Sequence, residues 1–378
     1  MNHMKTITYV YGFGREKKLS NNPNYSSDFL YGFDYFLNNK YEVNYIIASE
    51  STSFILIFIE KVLRKLTKLP FYMSNYLSWK NIRTLLSSEV LILTNDTIAL
   101  SLLPVLAIHR LIKKGKILVI VMGLLSKPKP DKLSIFLQNI TIKLLLKLSF
   151  KFIFLGKKEK DLAYKKYQKY ADKLKYIPFC IDSNFWKYDE IEKKYDLVFI
   201  GNDGNRDFNF LIDLTNRLSD LKFLVISNNK ILKKYFNTLK PDNVDFLVGS
   251  LSESDIDDRK LKKLYNSSKI SIIPLKETFQ PSGQSVALQS LSVGLPVIIT
   301  STGGNWFYGE KINDEFLKVV NKNDIELWEK NIRNLLKQNN LSQNKSNDIS
   351  NLIIDNLDKK RFDRILESTI FKKSSQDY

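Results

Sequence analysis

The chain has 378 residues, of which 44% are apolar and 12% aromatic, which suits two domains with packed cores and excludes a disordered chain. The single cysteine, Cys180, excludes an internal disulfide. Two histidines are too few for a histidine-based metal site, so we expect neither a metal nor another cofactor.

Short apolar runs alternate with helical patterns along the first half of the chain. Strands are predicted near 5–11, 42–48, 89–94, 116–121, 151–155 and 174–178, and helices near 26–38, 52–68, 97–113, 132–149 and 157–171. This alternation is typical of a parallel sheet covered by helices on both faces. Gly12 and Gly14 follow the first strand, in a loop that either approaches a ligand or forms a plain turn.

A charged stretch near 186–194 divides the chain, and the alternation then repeats. Strands are predicted near 196–200, 222–227, 244–248, 269–274, 296–300 and 317–320, and helices near 207–218, 230–239, 257–267, 284–293, 324–337 and 357–371. The stretch 339–351 is rich in Asn and Ser and is not predicted to be helical. We therefore predict two α/β domains, at residues 1–186 and 187–356.

Two loops in the second half have the residues of an anion site. Gly201 and Asn202 open the loop GNDGNRD after a predicted strand, and Arg206 in that loop offers a fork of donors that matches phosphate oxygens. The alternative is a helix cap beside an exposed, surface Arg206. The segment PSGQS stands at a helix start, where backbone N–H groups and a partial positive charge suit phosphate; its candidate ligands are Ser282, Gly283, Gln284 and Ser285.

Lys276 and Gln289 are further candidates in the same segment. Lys276 follows the strand that ends at Pro274 and is either a second cation for a phosphate or an ordinary surface lysine. Gln289 lies farther along the helix, and its amide, which can both donate and accept hydrogen bonds, either contacts a ligand or lies on the helix surface.

The segment 281–297 resembles the donor-binding segment of GT-B glycosyltransferases of glycosyltransferase family 4 (group 1). The family's motif is a Glu, seven residues and a second Glu, followed by a small residue, Gly, Leu or Lys, Pro and Val. Here residues 294–297 match its end, Gln289 stands at the second Glu and Pro281 at the first, so the chain resembles a branch that carries PSGQS. Residues 177–186 are similar to the family's inter-domain entry.

The resemblance implies a GT-B fold, with two Rossmann-like parallel-sheet domains facing a cleft. It implies that residues 1–186 bind the acceptor, that 187–356 bind a nucleotide-sugar, and that the terminal helix within 357–378 packs back on the first domain. It also implies that Arg206 steadies the leaving diphosphate, which Lys276 could reach as a second cation, and that Gln289 hydrogen-bonds the ribose as the family's Glu does. It implies that the Gly12–Gly14 loop approaches the donor phosphate or the acceptor.

The positive charge is concentrated in the first domain. Residues 104–175 contain 18 basic and 4 acidic side chains, a net charge of +14 within a chain of net charge +18. Segments 54–69 and 133–152 mix lysines with large apolar residues, as helices at an anionic lipid surface do. The alternatives are helices packed on the sheet and a lysine-rich composition without a role. We expect no signal peptide, no membrane span and no nucleic-acid partner.

We therefore expect a cytoplasmic, metal-independent glycosyltransferase, either free in the cytoplasm or peripheral on the inner face of the membrane. It would move a sugar, with retention, from a nucleotide diphosphate-sugar to a glycan or lipid-linked acceptor in cell-envelope polysaccharide or lipopolysaccharide synthesis. One alternative is an inverting enzyme with Asp96 as general base. Another is a degenerate, non-catalytic protein that binds a nucleotide-sugar or an anionic surface.

Overall fold

The computed structural model describes residues 5–39, 41–50, 53–113, 115–126, 131–249, 256–304, 306–307, 316–338 and 343–371. The chain divides into two compact units. Unit 1 comprises Met1–Ser20, Phe29–Pro178 and Phe362–Tyr378, and unit 2 comprises Asn21–Asp28 and Phe179–Arg361.

Unit 1 is built on a six-stranded parallel sheet. Its strands are β1 (Thr6–Tyr11), β2 (Glu42–Ile47), β3 (Val90–Leu93), β4 (Lys116–Val121), β5 (Lys151–Phe154) and β6 (Leu174–Tyr176), in the order β2-β1-β3-β4-β5-β6. Its helices are α1 (Glu16–Leu19), α2 (Phe33–Asn38), α3 (Phe54–Thr67), α4 (Trp79–Ser87), α5 (Asp96–Ser101), α6 (Leu103–Ile112), α7 (Lys132–Leu148) and α8 (Lys157–Lys166). Every residue of β3 is buried, as expected for a central parallel strand covered on both faces.

Unit 2 repeats the architecture with a second six-stranded parallel sheet. Its strands are β7 (Tyr195–Ile200), β8 (Phe223–Ile226), β9 (Val244–Leu247), β10 (Ser268–Ile273), β11 (Val297–Thr300) and β12 (Leu317–Val320), in the order β12-β11-β10-β7-β8-β9. Its helices are α9 (Phe208–Arg217), α10 (Lys230–Leu239), α11 (Asp258–Asn266), α12 (Gln284–Ser292), α13 (Ile325–Gln338) and α14 (Gln343–Leu357). The predicted α/β class with two parallel sheets is confirmed.

The last helix, α15 (Lys359–Phe371), begins among the residues of unit 2 and continues in unit 1. In unit 1 its Glu367 carboxylate accepts hydrogen bonds from the hydroxyls of Tyr35, at 2.7 Å, and Tyr41, at 2.9 Å. The phenol pKa of Tyr41 is raised to about 12, first by burial and then by this bond. The terminal helix is thus hydrogen-bonded to the region around α2.

Two predicted helices differ from the structure for backbone reasons. The helix predicted over 26–38 is only α2, because Phe29, Tyr31 and Gly32 have positive φ angles of 67°, 52° and 85°. The helix predicted over 97–113 is divided into α5 and α6. Pro104 stands in the first turn of α6, where its missing N–H costs nothing.

Three of the described helices were not predicted: the one-turn α1, α4 and α14. The polar composition of 339–351 argued against a helix, yet α14 occupies the described part of it and buries Ile349, Ile353 and Leu357 at four-residue spacing. Residues 339–342 lie outside the described part of the chain. None of the described helices combines the length and the apolar composition that crossing a bilayer needs.

Candidate functional site

Two loops at the carboxyl ends of neighbouring strands meet in unit 2. The loop after β7 contacts the loop after β10 through a β-bridge between Arg206 and Leu275. The Asn205 amide nitrogen donates to Ser282 Oγ at 2.8 Å and to Gln280 Oε1 at 3.2 Å. The structure thus brings together GNDGNRD and PSGQS, which are more than seventy residues apart in the chain, at the sheet edge where α/β folds bind ligands.

Arg206 is the centre of this junction and is buried, with 3% of its surface exposed. The expectation of an exposed, surface arginine is therefore wrong. Its Nε and Nη1 atoms are buried and have no hydrogen-bond partner among the described residues. Nη1 lies 3.2 Å from Asp203 Oδ2, close enough for an ion pair. Burial lowers the pKa of the Arg206 guanidinium and the Asp203 carboxylate opposes that shift, but an arginine stays charged in either case.

Two glycines lie against the Arg206 side chain, and one of them, Gly201, makes room for it. A Cβ atom on Gly201 would lie 2.5 Å from Arg206 Nε, so a larger residue there would displace the guanidinium. A Cβ atom on Gly283 would lie 3.8 Å from Arg206 Nη1 and 2.7 Å from Ile273 Cγ2. Gly283 also has a φ angle of +74°, in the left-handed region that favours glycine. The guanidinium therefore lies against the residue that opens α12.

The first turn of α12 faces this cation with its backbone donors. Gly283 is the N-cap and no side chain caps the helix there. The first N–H groups of a helix have no intrahelical acceptor, and the helix start carries roughly half a positive charge. Ser282 and Gln284 are buried and Ser285 is half-buried. A buried guanidinium whose Nε has no hydrogen-bond partner and whose Nη1 is paired with Asp203, beside a helix start without a side-chain cap, is an arrangement that binds an anion.

Gln289 lies in a buried hydrogen-bonded network of unit 2. Its amide nitrogen donates to Asp28 Oδ2 at 2.9 Å, and its amide oxygen accepts from the Tyr265 hydroxyl at 3.3 Å. Trp186 Nε1 donates to the same Asp28 oxygen at 2.6 Å. The reading of Gln289 as a helix-surface amide is therefore wrong, since the residue is only 7% exposed. A ribose contact stays a prediction and would require Gln289 to exchange one of these partners.

The remaining candidates of unit 2 lie around the two loops. Lys276 is exposed, and its backbone N–H donates to the Asn205 carbonyl at 2.8 Å. Asn202 holds the loop in place, because its amide nitrogen donates to the Gly249 carbonyl at 2.8 Å and its oxygen accepts from Ser227 at 3.1 Å. The side chain of Lys276 is thus on the surface, whereas that of Asn202 is engaged in loop contacts.

The predicted loop of unit 1 follows β1. Gly12 has open space where a Cβ would be, and Gly14 has a φ angle of 79°. The neighbouring Arg15 guanidinium lies 5.1 Å from the centre of the Phe29 ring, and its Nη1 is buried without a hydrogen-bond partner among the described residues. Asp96, the candidate general base of the inverting alternative, is 2% exposed, and its carboxylate accepts a hydrogen bond from the Met122 N–H at 3.0 Å.

Sequence reasoning missed several residues around Arg206, around Gln289 and in the loop after β1. Asp203 stands three residues before Arg206, so the ion pair had a local signal in the spacing. The partners of Gln289 are up to 261 residues away in the chain and had none. The residues missed as parts of the sites are Arg15, Asp28, Asp203, Asn205 and Tyr265.

Comparison with known proteins agrees with this description of unit 2. Residues 194–338 match the model of a family described as Glycosyl transferases group 1. This matched segment contains both loops and all of α12. No curated protein matches the sequence as a whole.

Solved structures with the same fold span nearly the whole chain. HepE from Anabaena, in complex with UDP, is 12% identical with a TM-score of 0.68, covering 97% of this chain and 99% of its own. Sucrose-phosphate synthase from Thermosynechococcus elongatus is 12% identical with a TM-score of 0.67, covering 96% and 98%. A glycosyltransferase from Rickettsia africae is 13% identical with a TM-score of 0.63, covering 98% and 100%.

The match identifies residues 194–338 as a group 1 glycosyltransferase domain, and the solved structures show an α/β GT-B fold. The narrower assignments, to family 4 and to a branch carrying PSGQS, stay predictions.

Proposed function

We propose that the protein transfers a sugar from a nucleotide diphosphate-sugar, whose diphosphate binds between Arg206 and the first turn of α12. The observation that carries this proposal is the buried Arg206 guanidinium, whose Nε and Nη1 have no hydrogen-bond partner beside an uncapped helix start. Leaving buried donors unused costs free energy, and a bound diphosphate would supply the acceptors. Support comes from HepE, which has the same fold and was crystallised with UDP and with UDP-glucose.

The proposed chemistry is electrostatic stabilisation of the leaving group. When the bond between the sugar's anomeric carbon and the diphosphate breaks, negative charge develops on the departing phosphate oxygen. Donors already oriented toward that oxygen stabilise the transition state more than the ground state. Arg206 and the N–H groups of residues 283–285 would supply those donors, with Lys276 as an exposed second cation. This positive charge comes from the protein, so the proposal requires neither a metal nor another cofactor.

We further propose that transfer proceeds with retention of the anomeric configuration. The inverting alternative needs a general base, and its candidate is Asp96, which is buried and already accepts a hydrogen bond from Met122. A retaining transfer that relies on leaving-group stabilisation makes no such demand. Analysis of the product anomer separates the two, because the inverting enzyme would give the opposite anomer from the same donor.

The acceptor in this proposal is a hydroxyl of a glycan or of a lipid-linked sugar in cell-envelope polysaccharide or lipopolysaccharide synthesis, on the cytoplasmic side of the membrane. The Gly12–Gly14 loop of unit 1 is its candidate binding loop, because a small loop at a strand end leaves room for a ligand. A non-catalytic binder is the remaining alternative, and it would bind the nucleotide-sugar without ever releasing the free nucleotide.

The proposal is tested by the thermal stability of the purified protein with UDP, GDP, ADP and their sugars. A ligand that binds only the native state stabilises it, by about 2.7 kcal/mol at a hundred times its dissociation constant. We expect at least one nucleotide and its sugar to raise the unfolding temperature, and Arg206→Ala to abolish that rise. The absence of any shift at millimolar concentrations would contradict the proposed site.

A further inference from the structure

The outer helices of unit 1 have an unusual distribution of side chains. Helix α3 buries its polar residues Glu60 and Thr67, and Glu60 accepts hydrogen bonds from the backbone N–H and the hydroxyl of Ser74, both at 3.1 Å. Six of its nine large apolar residues are exposed instead, with Phe54 at 86% and Phe58 at 69%, while Leu63 packs against the core. A helix that covers a sheet normally buries its apolar side, so this orientation is not explained by the packing of unit 1.

Helix α7 extends the same surface. It contacts α3, and Ser134 Oγ at its start donates to the Leu66 carbonyl near the end of α3 at 3.0 Å. Exposed apolar residues follow along α7 at three- and four-residue spacing, which places them on one side of the helix. The apolar members of this surface are Phe54, Ile55, Phe58, Val62 and Leu66 of α3, and Leu133, Phe136, Ile140 and Leu144 of α7.

The charges on this surface have one sign. Lys61 and Lys65 lie one turn from Phe58 and Val62, and Lys143 and Lys147 lie one turn from Ile140 and Leu144. These four lysines are exposed. The one acidic residue within α3 and α7 is Glu60, which is buried and lies 3.8 Å from Arg64. We call the nine apolar residues and these four lysines the basic–apolar face.

We propose that the basic–apolar face is a docking surface for an anionic lipid bilayer. Exposed Phe, Ile and Leu side chains would enter the boundary between headgroups and acyl chains, while the interleaved lysines stay at the level of the anionic headgroups. The choice of a membrane rather than an ordinary protein partner rests on charge. A surface with large apolar groups, lysines and no exposed acid complements a bilayer that is apolar inside and negatively charged at its surface.

Co-sedimentation of the full chain with vesicles tests this inference. Binding to phosphatidylglycerol vesicles at low salt is expected, with a decrease at high salt and little binding to phosphatidylcholine vesicles. The double variant Phe54→Ser with Phe58→Ser should lower partitioning by about tenfold or more. Lys61→Gln with Lys65→Gln should lower it roughly thirtyfold, since each lysine near an anionic surface contributes about 1 kcal/mol.

Helix α10 of unit 2 provides matched controls, because it also has exposed apolar residues and lysines. Ile231→Ser with Leu239→Ser, and Lys230→Gln with Lys234→Gln, should leave partitioning unchanged. All these substitutions are at exposed positions, and unchanged thermal unfolding would show that the variants fold. Nucleotide binding by unit 2 is measured in a separate thermal-stability experiment. Failure of the membrane inference is therefore distinguishable from failure of the proposed function.

Three results would overturn the inference. One is equal partitioning of the wild type to both kinds of vesicle, or to neither. Another is unchanged partitioning of the Phe54→Ser, Phe58→Ser variant. The third is a wild-type dimer in sedimentation velocity that this variant converts to a monomer without any lipid binding, because it would assign the face to a second copy of the chain.

Discussion

Units 1 and 2 share one architecture but differ in where their unexplained features lie. Both have six parallel strands with helices between them. In unit 2 the feature that packing does not explain is internal: at the carboxyl ends of β7 and β10, Arg206 is buried and its Nε has no hydrogen-bond partner among the described residues. In unit 1 it is outside, on α3 and α7, where large apolar residues are exposed. The comparison teaches that the sheets do not distinguish the two units, whereas loops and helix faces do.

Helices α12 of unit 2 and α3 of unit 1 show the same contrast. Eight of its nine residues are buried, including the polar Gln284, Gln289, Ser290 and Ser292, whereas α3 buries only two of fourteen. Buried polar side chains are retained where they make specific hydrogen bonds. Unit 2 therefore has buried polar side chains around its candidate site, and the following substitutions test what they and the neighbouring loops contribute.

The largest effect is expected from Arg206→Ala. Removing a donor that acts on the developing charge commonly costs on the order of 10²–10³ in turnover. Arg206→Lys keeps the charge without the fork of donors and should have an intermediate turnover. Steady-state kinetics with the donor identified by the thermal panel measures both, and thermal unfolding checks that the variants fold. A folded alanine variant with near wild-type turnover would remove Arg206 from the site.

Gln289→Glu would test the buried network behind the site. The new carboxylate would lie beside Asp28, now 2.9 Å from the Gln289 amide nitrogen, and two like charges in a buried site cannot both stay ionised. We expect the free energy of unfolding to fall by about 3 kcal/mol at neutral pH. The same substitution with Asp28→Asn should recover part of the loss. Equal stability of the wild type and the single variant in chemical denaturation would show that the Gln289 side chain does not lie in a buried site beside Asp28.

That like-charge repulsion also sets the pH dependence of the Gln289→Glu variant. The pKa of the new carboxyl would be raised in the folded protein, so its deficit should be small at low pH and grow as the pH rises. A deficit that is independent of pH would indicate altered packing rather than charge as its cause.

Gly283→Ala would test the shape of the helix start. An L-residue at a φ of +74° costs about 1–2 kcal/mol, and the new methyl group would meet Ile273 at 2.7 Å. Both stability and nucleotide affinity should fall. Gly204→Ala in the partner loop is the matched control, since a Cβ there has no atom within 4 Å. Equal losses in the two variants would mean that general loop disturbance, not the helix start, is responsible.

The smallest effect is expected from Asp203→Asn. The Asp203 carboxylate lies 3.2 Å from Arg206 Nη1, in the place where we expect a phosphate oxygen, and it competes with that oxygen. The side chain is about half exposed, so its removal should improve nucleotide affinity by at most about fivefold. Asp213→Asn on α9, also exposed, should have no effect. A weaker affinity measured by calorimetry would instead make Asp203 a residue that positions Arg206.

Sequence patterns predicted the regular parts of the molecule because these depend on local periodicity. All twelve strands and most helices follow from alternating apolar runs, and the helix from Gln284 follows from the Pro-Ser-Gly turn before it. Each of the two loops was placed after a predicted strand, where α/β folds bind ligands, but no pattern predicted that their strands are neighbours. Helix α14 was missed although Ile349, Ile353 and Leu357 had the right spacing, because the surrounding Asn and Ser residues argued for a loop.

What the sequence did not predict depends on contacts between distant residues. The burial of Arg206 depends on the space left by Gly201, and no local pattern reports that space. Nor does a pattern show that Asp28, between α1 and α2, accepts a hydrogen bond from Gln289. For α3 the periodicity identified two faces, but the choice of which face is buried is made by Glu60 and its bonds to Ser74.

Hydrogen exchange with and without the nucleotide that stabilises the protein most would test the central claim most directly. Backbone N–H groups that bind phosphate exchange more slowly when the ligand is present. The proposed site predicts protection of peptides covering 201–207 and 282–288, and no change in the control peptide covering 230–239 of α10. Stabilisation by the nucleotide without protection of the first two segments would contradict the account.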